Sequence, residues 1–162
     1  MIRSHVLICA GTGCTSSNSH AVKEALIAEL AKKGLDKEIK VVQTGCFGLC
    51  ALGPIMIVYP EGVFYSRVTV EEIPEIVEEH LLKGRPVERM VYNDPVVEGE
   101  HSSALSDTRF YKAQNRLALR NCGVIDPENI DEYIAVHGYE ALGKVLTSMT
   151  PKDVVDVVLA SG

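Results

Sequence analysis

Four cysteines of this sequence occur as two close pairs, a pattern typical of metal binding. Cys9 and Cys14 are separated by four residues, and Cys46 and Cys50 by three, within a chain of 162 residues. Thiolates are soft anionic ligands, so four of them suit either a tetrahedral zinc ion or an iron-sulfur cluster. The fifth cysteine, Cys122, lies far from both pairs in the sequence, and we expect it to be a packing residue outside the ligand set.

The separation between the pairs favours an iron-sulfur cluster over zinc. Structural zinc sites usually use tighter Cys-x2-Cys pairs, whereas a long stretch of sequence, including a predicted helix, lies between Cys14 and Cys46. Wider spacing suits a 2Fe-2S cluster, because each pair of cysteines then binds one iron of a larger object. A zinc-binding structural or interaction module that uses the same four cysteines remains the alternative.

The residues around the cysteines are suited to enclosing such a cluster. Glycines would let the backbone approach closely and direct N–H groups at the sulfur atoms. Apolar neighbours would keep the site partly dry. The glycines are Gly11, Gly13, Gly45, Gly48 and Gly53, and the apolar neighbours are Phe47, Leu49, Ala51 and Leu52.

Charge and hydropathy restrict the partners and the location. The chain has 16 Lys or Arg and 22 Asp or Glu, a net charge of −6, which argues against binding to nucleic acid or an anionic membrane. The N-terminal apolar run at 6–10 is far too short for a signal peptide or a membrane span. We therefore expect a cytoplasmic protein without a membrane span.

Other uses of these cysteines and glycines fit less well. Structural disulfides are disfavoured in the cytoplasm, and a thioredoxin-type dithiol would need a Cys-x2-Cys motif at a helix start. The turn at 11–13 resembles a dinucleotide-binding fingerprint, but Ser16 stands where its third glycine belongs. No arrangement typical of nucleophilic or acid-base catalysis is found, so no catalytic residue is assigned.

Strand and helix signals place each cysteine pair after a strand. A helix is predicted between Ser19 and Gly34, and a second one after Thr69. We expect an α/β (α+β) fold with the order βαββα over residues 1 to about 84, in which two strands are joined through a helix and are followed by a hairpin. The predicted strands are 5–9, 39–42, 55–59 and 63–66.

The remaining sequence indicates a linker and a helical segment. Residues 86–107 contain prolines, glycine and polar residues without an apolar period, so we expect an extended linker that acts as a hinge. A helix is predicted over 110–120, and two more begin at Asp126-Pro127 and Thr150-Pro151. The predicted domains are 1–85, 86–107 and 108–162.

Two sets of residues resemble known families. The stretches 9–14 (CAGTGC) and 44–50 (TGCFGLC), followed by Gly53-Pro54, resemble the thioredoxin-like 2Fe-2S ferredoxin domain. The stretch from Phe110 through 119–123 (LRNCG) to Thr150-Pro151 is similar to the segment that precedes the flavin domain in another family. That family is the flavin-carrying, NAD(P)-linked subunit of complex I and of multimeric iron-only hydrogenases, and the two matches follow the order of the hydrogenase beta subunit.

The resemblance implies a thioredoxin-like ferredoxin domain and an electron-transfer function. One 2Fe-2S cluster, bound by Cys9, Cys14, Cys46 and Cys50, would carry electrons without substrate turnover. The partners would be other iron-sulfur and flavin subunits of a hydrogenase or NADH dehydrogenase complex, and a homo-oligomer is left open. Because the sequence has neither the flavin loop nor the further cluster segment of that family, we expect a truncated piece or a short natural relative. FMN and NAD(P) are expected only in a full-length parent.

Overall fold

The computed structural model describes residues 1–93 and 104–162. The chain divides into two compact units, Met1–Val124 and Ile125–Gly162. The first unit contains all five cysteines, and its sheet positions the two pairs near the sequence start.

The sheet has four strands in the order β2-β1-β3-β4. Strand β1 runs parallel to β2, with Cys9 opposite Thr44 at the end of the ladder. Strand β3 runs antiparallel to both β1 and β4. The carboxyl ends of β1 and β2 therefore meet at the same edge of the sheet. The strands are β1 (Ser4–Cys9), β2 (Ile39–Thr44), β3 (Met56–Tyr59) and β4 (Val63–Tyr65).

Helices cover one face of the sheet and shape its cysteine-bearing edge. A short helix, α1 (Thr12–Ser16), follows β1, and α2 (Ser19–Lys32) forms the crossover to β2. Helix α3 (Ile73–Glu75) continues as a π-helical stretch, Ile76–Leu82. The helical spacing of Val22, Leu26 and Leu30 turns these buried side chains towards the sheet. Each such burial contributes about 1.5–3 kcal/mol.

Successive side chains of a strand point to opposite faces of the sheet, and an apolar core is formed on each face. Val6 and Ile8 of β1 pack in the core that contains α2 and α3. Leu7 and Cys9 point to the opposite face, where they pack with the side chain of Phe47 and others. The first cysteine of the sequence is thus part of the second core rather than of a mobile loop.

The predicted fold class is confirmed, and each of the four predicted strands is found at its predicted place. The order of the larger elements is therefore βαβββα, which has one strand more than the pattern βαββα. The helix predicted from Ser19 to Gly34 is found within two residues of both limits, and Gly34 has a positive φ of 71°. Thr69 precedes a helical turn and its N–H donates to Glu72, as a helix start requires.

The predicted linker differs from the structure at both of its described ends. Val87 and Met90 are buried in the core with α2 and α3, and Leu105 is buried in the opposite core. Apolar side chains spaced by three residues around the 3-10 turn Glu88–Met90 explain the packing at the first end. Residues 94–103, the middle of the predicted linker, lie outside the described residues.

The helical predictions for the last third of the chain are confirmed only in part. Helix α4 (Arg109–Lys112) ends well before the predicted limit at residue 120, because Leu117 and Leu119 are two residues apart and form no helical stripe. Near Asp126 the helix begins later than predicted, at Ile130 after the capping side chain of Asn129.

The regular elements of the second unit are all helices. The predicted start at Thr150-Pro151 is confirmed, since the Thr150 hydroxyl accepts from the N–H of Asp153. Every residue of 125–162 is exposed or half-buried. The helices of this unit are α5 (Ile130–Ala135), α6 (Glu140–Ser148) and α7 (Pro151–Ala160).

Across the described part of the chain, no helix is both long and apolar enough to cross a membrane.

Candidate metal centre

The first cysteine pair is buried at the end of β1. Cys9 is the last residue of the strand, and its N–H donates to the carbonyl of Ile55 at 3.1 Å. Cys14 lies in α1, so the single turn of helix brings its side chain back towards the strand end. Each of the two is only 1% exposed. The buried pair is therefore fixed by a strand on one side and a helix on the other.

The second pair lies in the loop after β2 and is exposed. The sulfur atoms of Cys46 and Cys50 are 3.8 Å apart. Between them, Phe47 is buried and anchors the loop to the core, while Cys50 begins a 3-10 turn that ends at Leu52. The N–H of Gly48 donates to the Cys46 sulfur at 3.3 Å, so one of the glycines predicted to direct an N–H at sulfur does so.

Glycines bring the two cysteine loops into direct contact. A Cβ atom on Gly11 would lie 2.8 Å from the Cβ of Cys46, and one on Gly13 would lie 3.0 Å from the Cβ of Cys50. A Cβ on Gly53 would lie 2.8 Å from the Cys14 sulfur. Real carbon atoms do not approach so closely, so any side chain at these positions would push the loops apart.

The four thiols influence one another electrostatically. Burial raises the pKa of the Cys14 thiol, and its neighbours Cys9 and Cys50 raise it further. The contact with Cys46 is the largest cause of the raised pKa of Cys50. Burial and the nearby Cys9 raise this pKa further. Four thiolates this close together repel one another, so a cationic centre is needed to hold all of them ionised.

The exposed pair has the spacing of two ligands on one tetrahedral metal. Metal–sulfur bonds of about 2.3 Å at a tetrahedral angle place two sulfur atoms about 3.8 Å apart. The Cys46–Cys50 separation of 3.8 Å agrees with this value. The second pair therefore has the geometry of two ligands of one metal, as one half of a centre with two metals requires.

Cys122 lies beside the second cysteine loop, which its position in the sequence did not indicate. Its sulfur is 3.7 Å from the Thr44 hydroxyl and 3.9 Å from the carbonyl oxygen of Cys46. It is half-buried. The contacts of Cys122 join it to residues more than 70 positions earlier in the sequence. No local sequence pattern predicts them.

Residues near Cys122 also pack on this loop. The Tyr111 hydroxyl donates to the carbonyl of Phe47 at 2.8 Å. A Cβ on Gly48 would touch the ring of Phe110 at 3.5 Å, and one on Gly123 would lie 2.8 Å from the ring of Phe47. The segment 104–124 therefore belongs to the surroundings of the site, although it follows the predicted ferredoxin domain by many residues.

The fold and the paired cysteines define a class of iron-sulfur protein. Residues 2–81 match the family described as thioredoxin-like [2Fe-2S] ferredoxin, and the chain belongs to that family. A 2Fe-2S ferredoxin of Clostridium pasteurianum is 40% identical over 96 residues, which cover 54% of this chain and 94% of that protein.

Two further relatives extend the comparison. The crystal structure of the thioredoxin-like [2Fe-2S] ferredoxin from Aquifex aeolicus is 33% identical and covers 58% of this chain and all of that chain, with a TM-score of 0.54. The NADP-reducing hydrogenase subunit HndC of Solidesulfovibrio fructosivorans is 60% identical over 58 residues, which are 36% of this chain and 12% of that subunit. The zinc alternative receives no support, because the family and its ferredoxin relatives are 2Fe-2S proteins.

Proposed function

We propose that this chain binds one 2Fe-2S cluster through Cys9, Cys14, Cys46 and Cys50 and carries single electrons. The observation that carries the proposal is the meeting of two cysteine pairs at one edge of the sheet, held in contact by Gly11 and Gly13. When bound, the cluster supplies reversible one-electron redox chemistry.

The two pairs contribute differently to this function. Cys9 and Cys14 are buried and would hold the inner side of the centre against the apolar core. Cys46 and Cys50 are exposed, so their loop is the side from which a redox partner can approach. The N–H of Gly48 would stabilise negative charge on the Cys46 sulfur. The residues thus provide a protected interior and an accessible edge.

We further propose that the carrier works within a multisubunit redox complex in the cytoplasm. The supporting observation is the 60% identity over 58 residues with an NADP-reducing hydrogenase subunit. In this proposal the chain corresponds to the N-terminal part of an NAD(P)-linked flavin subunit and relays electrons to or from other iron-sulfur and flavin subunits. Five free thiols suit the reducing conditions of the cytoplasm.

Metal and sulfide analysis of the anaerobically purified protein tests the cluster. We expect two irons and two acid-labile sulfides per chain, and a paramagnetic signal after reduction with dithionite. The measurements are iron, zinc and sulfide content together with electron paramagnetic resonance. Stoichiometric zinc without labile sulfide would contradict the proposal.

A further inference from the structure

The surface next to the candidate centre has a charge pattern opposite to that of the whole protein. The cysteine loops 9–18 and 44–53 contain no charged residue, and the segment 104–124 that packs on the second loop is basic. It has four cations and one acid, Asp107, a net charge of +3, in a chain of net charge −6. We call residues 104–124 the basic segment. Its cations are Arg109, Lys112, Arg116 and Arg120.

The basic segment is anchored to the loop that bears the exposed cysteine pair. The hydrogen bond from Tyr111 to Phe47 and the contact of Cys122 with the Cys46 carbonyl hold the middle and the last residues of the segment on that loop. Arg116 ties them together, because its guanidinium lies 5.0 Å from the centroid of the Tyr111 ring and donates to the Cys122 carbonyl at 3.2 Å. The charges of the segment are therefore carried beside Cys46.

Three of these cations are available to a partner. Arg109, Lys112 and Arg120 are exposed, and no ion pair joins them to any residue of 1–93 or 104–162. Elsewhere, basic side chains such as Lys33 and Lys83 are paired with glutamates. Unpaired cations can give their interaction energy to another molecule without first breaking an internal ion pair.

The basic segment also exposes large apolar side chains. The exposed fractions are 43% for Phe110, 76% for Leu117 and 59% for Leu119. Protein interfaces are enriched in aromatic side chains and arginine, and they combine an apolar centre with a polar rim. The segment has both parts within a few residues of each other.

We propose that the basic segment is the docking surface for a redox protein whose own centre is surrounded by acidic side chains. The proposal rests on the proposed electron-transfer function and names the partner chemistry of that site. An acidic partner is repelled by the net negative charge of the chain and attracted by the basic segment, so the field orients it towards the Cys46–Cys50 edge. A nucleic acid is disfavoured as the occupant, because three unpaired cations neutralise too few phosphates against a net charge of −6.

Electron-transfer kinetics with an acidic probe test the docking surface. The donor is the fully reduced form of a flavodoxin with an acidic surface around its flavin, and the observable is reduction of the cluster in a stopped-flow experiment. The test variant is Arg109→Gln, Lys112→Gln and Arg120→Gln combined. The control is Lys32→Gln, Lys33→Gln and Lys37→Gln, which removes the same charge before β2 and so at the opposite edge of the sheet. Lys32 and Lys33 are paired with Glu29 and Glu78, so the stability of the control is measured as well.

At low salt we expect the test variant to lose roughly tenfold in second-order rate constant, and the control to lose less than about twofold. The salt dependence of the rate should be steep for the wild type and the control, and shallow for the test variant. Cluster absorbance and reduction potential, measured in all three proteins, separate docking from damage to the centre.

Equal rates for the test variant and the control would overturn the docking proposal while leaving the cluster proposal intact. A rate loss explained by a changed potential and insensitive to salt would also overturn it, as would salt-sensitive binding of a short RNA without any effect of the test variant on electron transfer. Absence of a cluster from the wild type would instead overturn the proposed function.

Discussion

At the scale of single residues, the two cysteine pairs differ in how strongly the chain fixes them. Burial of Cys9 and Cys14 would be costly for thiolates without a compensating cation. Cys46 and Cys50 are exposed, and their loop is anchored by the buried ring of Phe47 and by the Tyr111 hydroxyl. We therefore expect metal loss to begin at the exposed pair, where water and chelators can enter.

Serine substitutions distinguish ligands from a neighbouring cysteine. Cys46→Ser or Cys50→Ser should lose or destabilise the cluster, because a hydroxyl is a poor replacement for a thiolate ligand. Metal binding and folding are coupled at such sites, so the midpoint of thermal unfolding should fall as well. Visible absorbance and thermal unfolding are the measurements.

Cys122→Ser is the control for these variants, since Cys122 lies against the carbonyl of Cys46 but outside the proposed ligand set. It should retain the full cluster absorbance. Cluster loss equal to that of Cys46→Ser would show that the ligand set is misassigned.

A single methyl group at Gly11 should separate the cysteine loops. The backbone of Gly11, with φ −61° and ψ 154°, suits alanine, so the effect of Gly11→Ala comes from the 2.8 Å approach to the Cβ of Cys46. Overpacking of this kind costs about 1–3 kcal/mol. We expect less cluster per chain and a lower free energy of unfolding, measured by denaturant titration.

The matched control is Gly143→Ala, because a Cβ at this position in α6 meets no atom within 4 Å. Alanine there should be neutral or stabilise the helix by up to about 1 kcal/mol. Equal losses in both variants would mean that the close approach at Gly11 is unimportant.

At the scale of elements, one buried side-chain contact joins the sheet to the helix and to the chain that follows it. The Tyr65 hydroxyl of β4 accepts the N–H of Val87 at 3.0 Å. It is 2.9 Å from Nδ1 of His80 in the π-helical stretch. The hydroxyl can donate to Nδ1 while it accepts from Val87, and this arrangement suits a neutral imidazole whose Nδ1 is unprotonated. Burial of the ring also favours the neutral form.

This contact predicts a loss of stability in mild acid. Burial lowers the pKa of His80, and the opposing effect of Glu61 is smaller. Since the pKa in the unfolded chain is about 6.5, the folded state binds fewer protons below that pH. The contribution of the neutral His80 to the free energy of unfolding is fully present above about pH 6.5. It is lost as the pH falls towards the lowered pKa of His80. Free energies of unfolding measured across this range should show the decrease.

Replacement of the histidine provides the comparison. His80→Gln should be less stable near neutral pH and should lose this part of the pH dependence, whereas His20→Gln, at an exposed position, should keep it. If His80→Gln followed the wild-type pH profile, the acid sensitivity would have another source.

Elements with strong local signals could be predicted from the sequence, and long-range contacts could not. The helix after Ser19, the starts at Thr69 and Thr150 and the strand before Cys9 depend on periodicity and capping within a few residues. The short helix α1 was missed because Thr12–Ser16 has no apolar period. Apolar periodicity did not predict the limits of the helices that follow the ferredoxin domain, such as the short α4 and the late start of α5.

The place at which the two cysteine pairs meet could be predicted from the sequence, whereas the residues that surround them could not. Two strands ending in cysteine loops are enough to predict that the loops meet, because parallel neighbours end at the same edge. The packing of Tyr111 and Cys122 on the second loop depends on contacts between distant parts of the sequence. Such contacts are selected by the shape of the folded surface, and they leave no spacing in the sequence.

At the scale of the whole molecule, the 162-residue protein should lack flavin and nicotinamide chemistry. Phosphate recognition usually needs a glycine turn that opens towards the ligand at a helix start. The turn at Gly11 and Gly13 is instead closed against Cys46 and Cys50. We expect no binding of FMN or NAD(P)H, no NADH-dependent dye reduction with added FMN, and chemical reduction of the cluster by dithionite.

Dye reduction by this chain alone, measured after removal of trace oxidoreductases, would contradict that expectation. Bleaching of the cluster by dithionite in the same sample is the internal control, because it shows that the protein assayed is intact.

The position of the two cysteine pairs on either side of α2 sets the order of events when the protein is made. The first pair leaves the ribosome well before the second, because the whole of α2 and β2 is synthesised between them. The pairs meet only after the crossover has brought β2 alongside β1. Parallel pairing of this kind forms late, because a long loop must close first. With these four cysteines as ligands, we expect iron and sulfide to be delivered to a chain that has already closed its β1-α2-β2 unit. A nascent chain that has not passed Cys50 would be a poor acceptor, however well its first pair is folded.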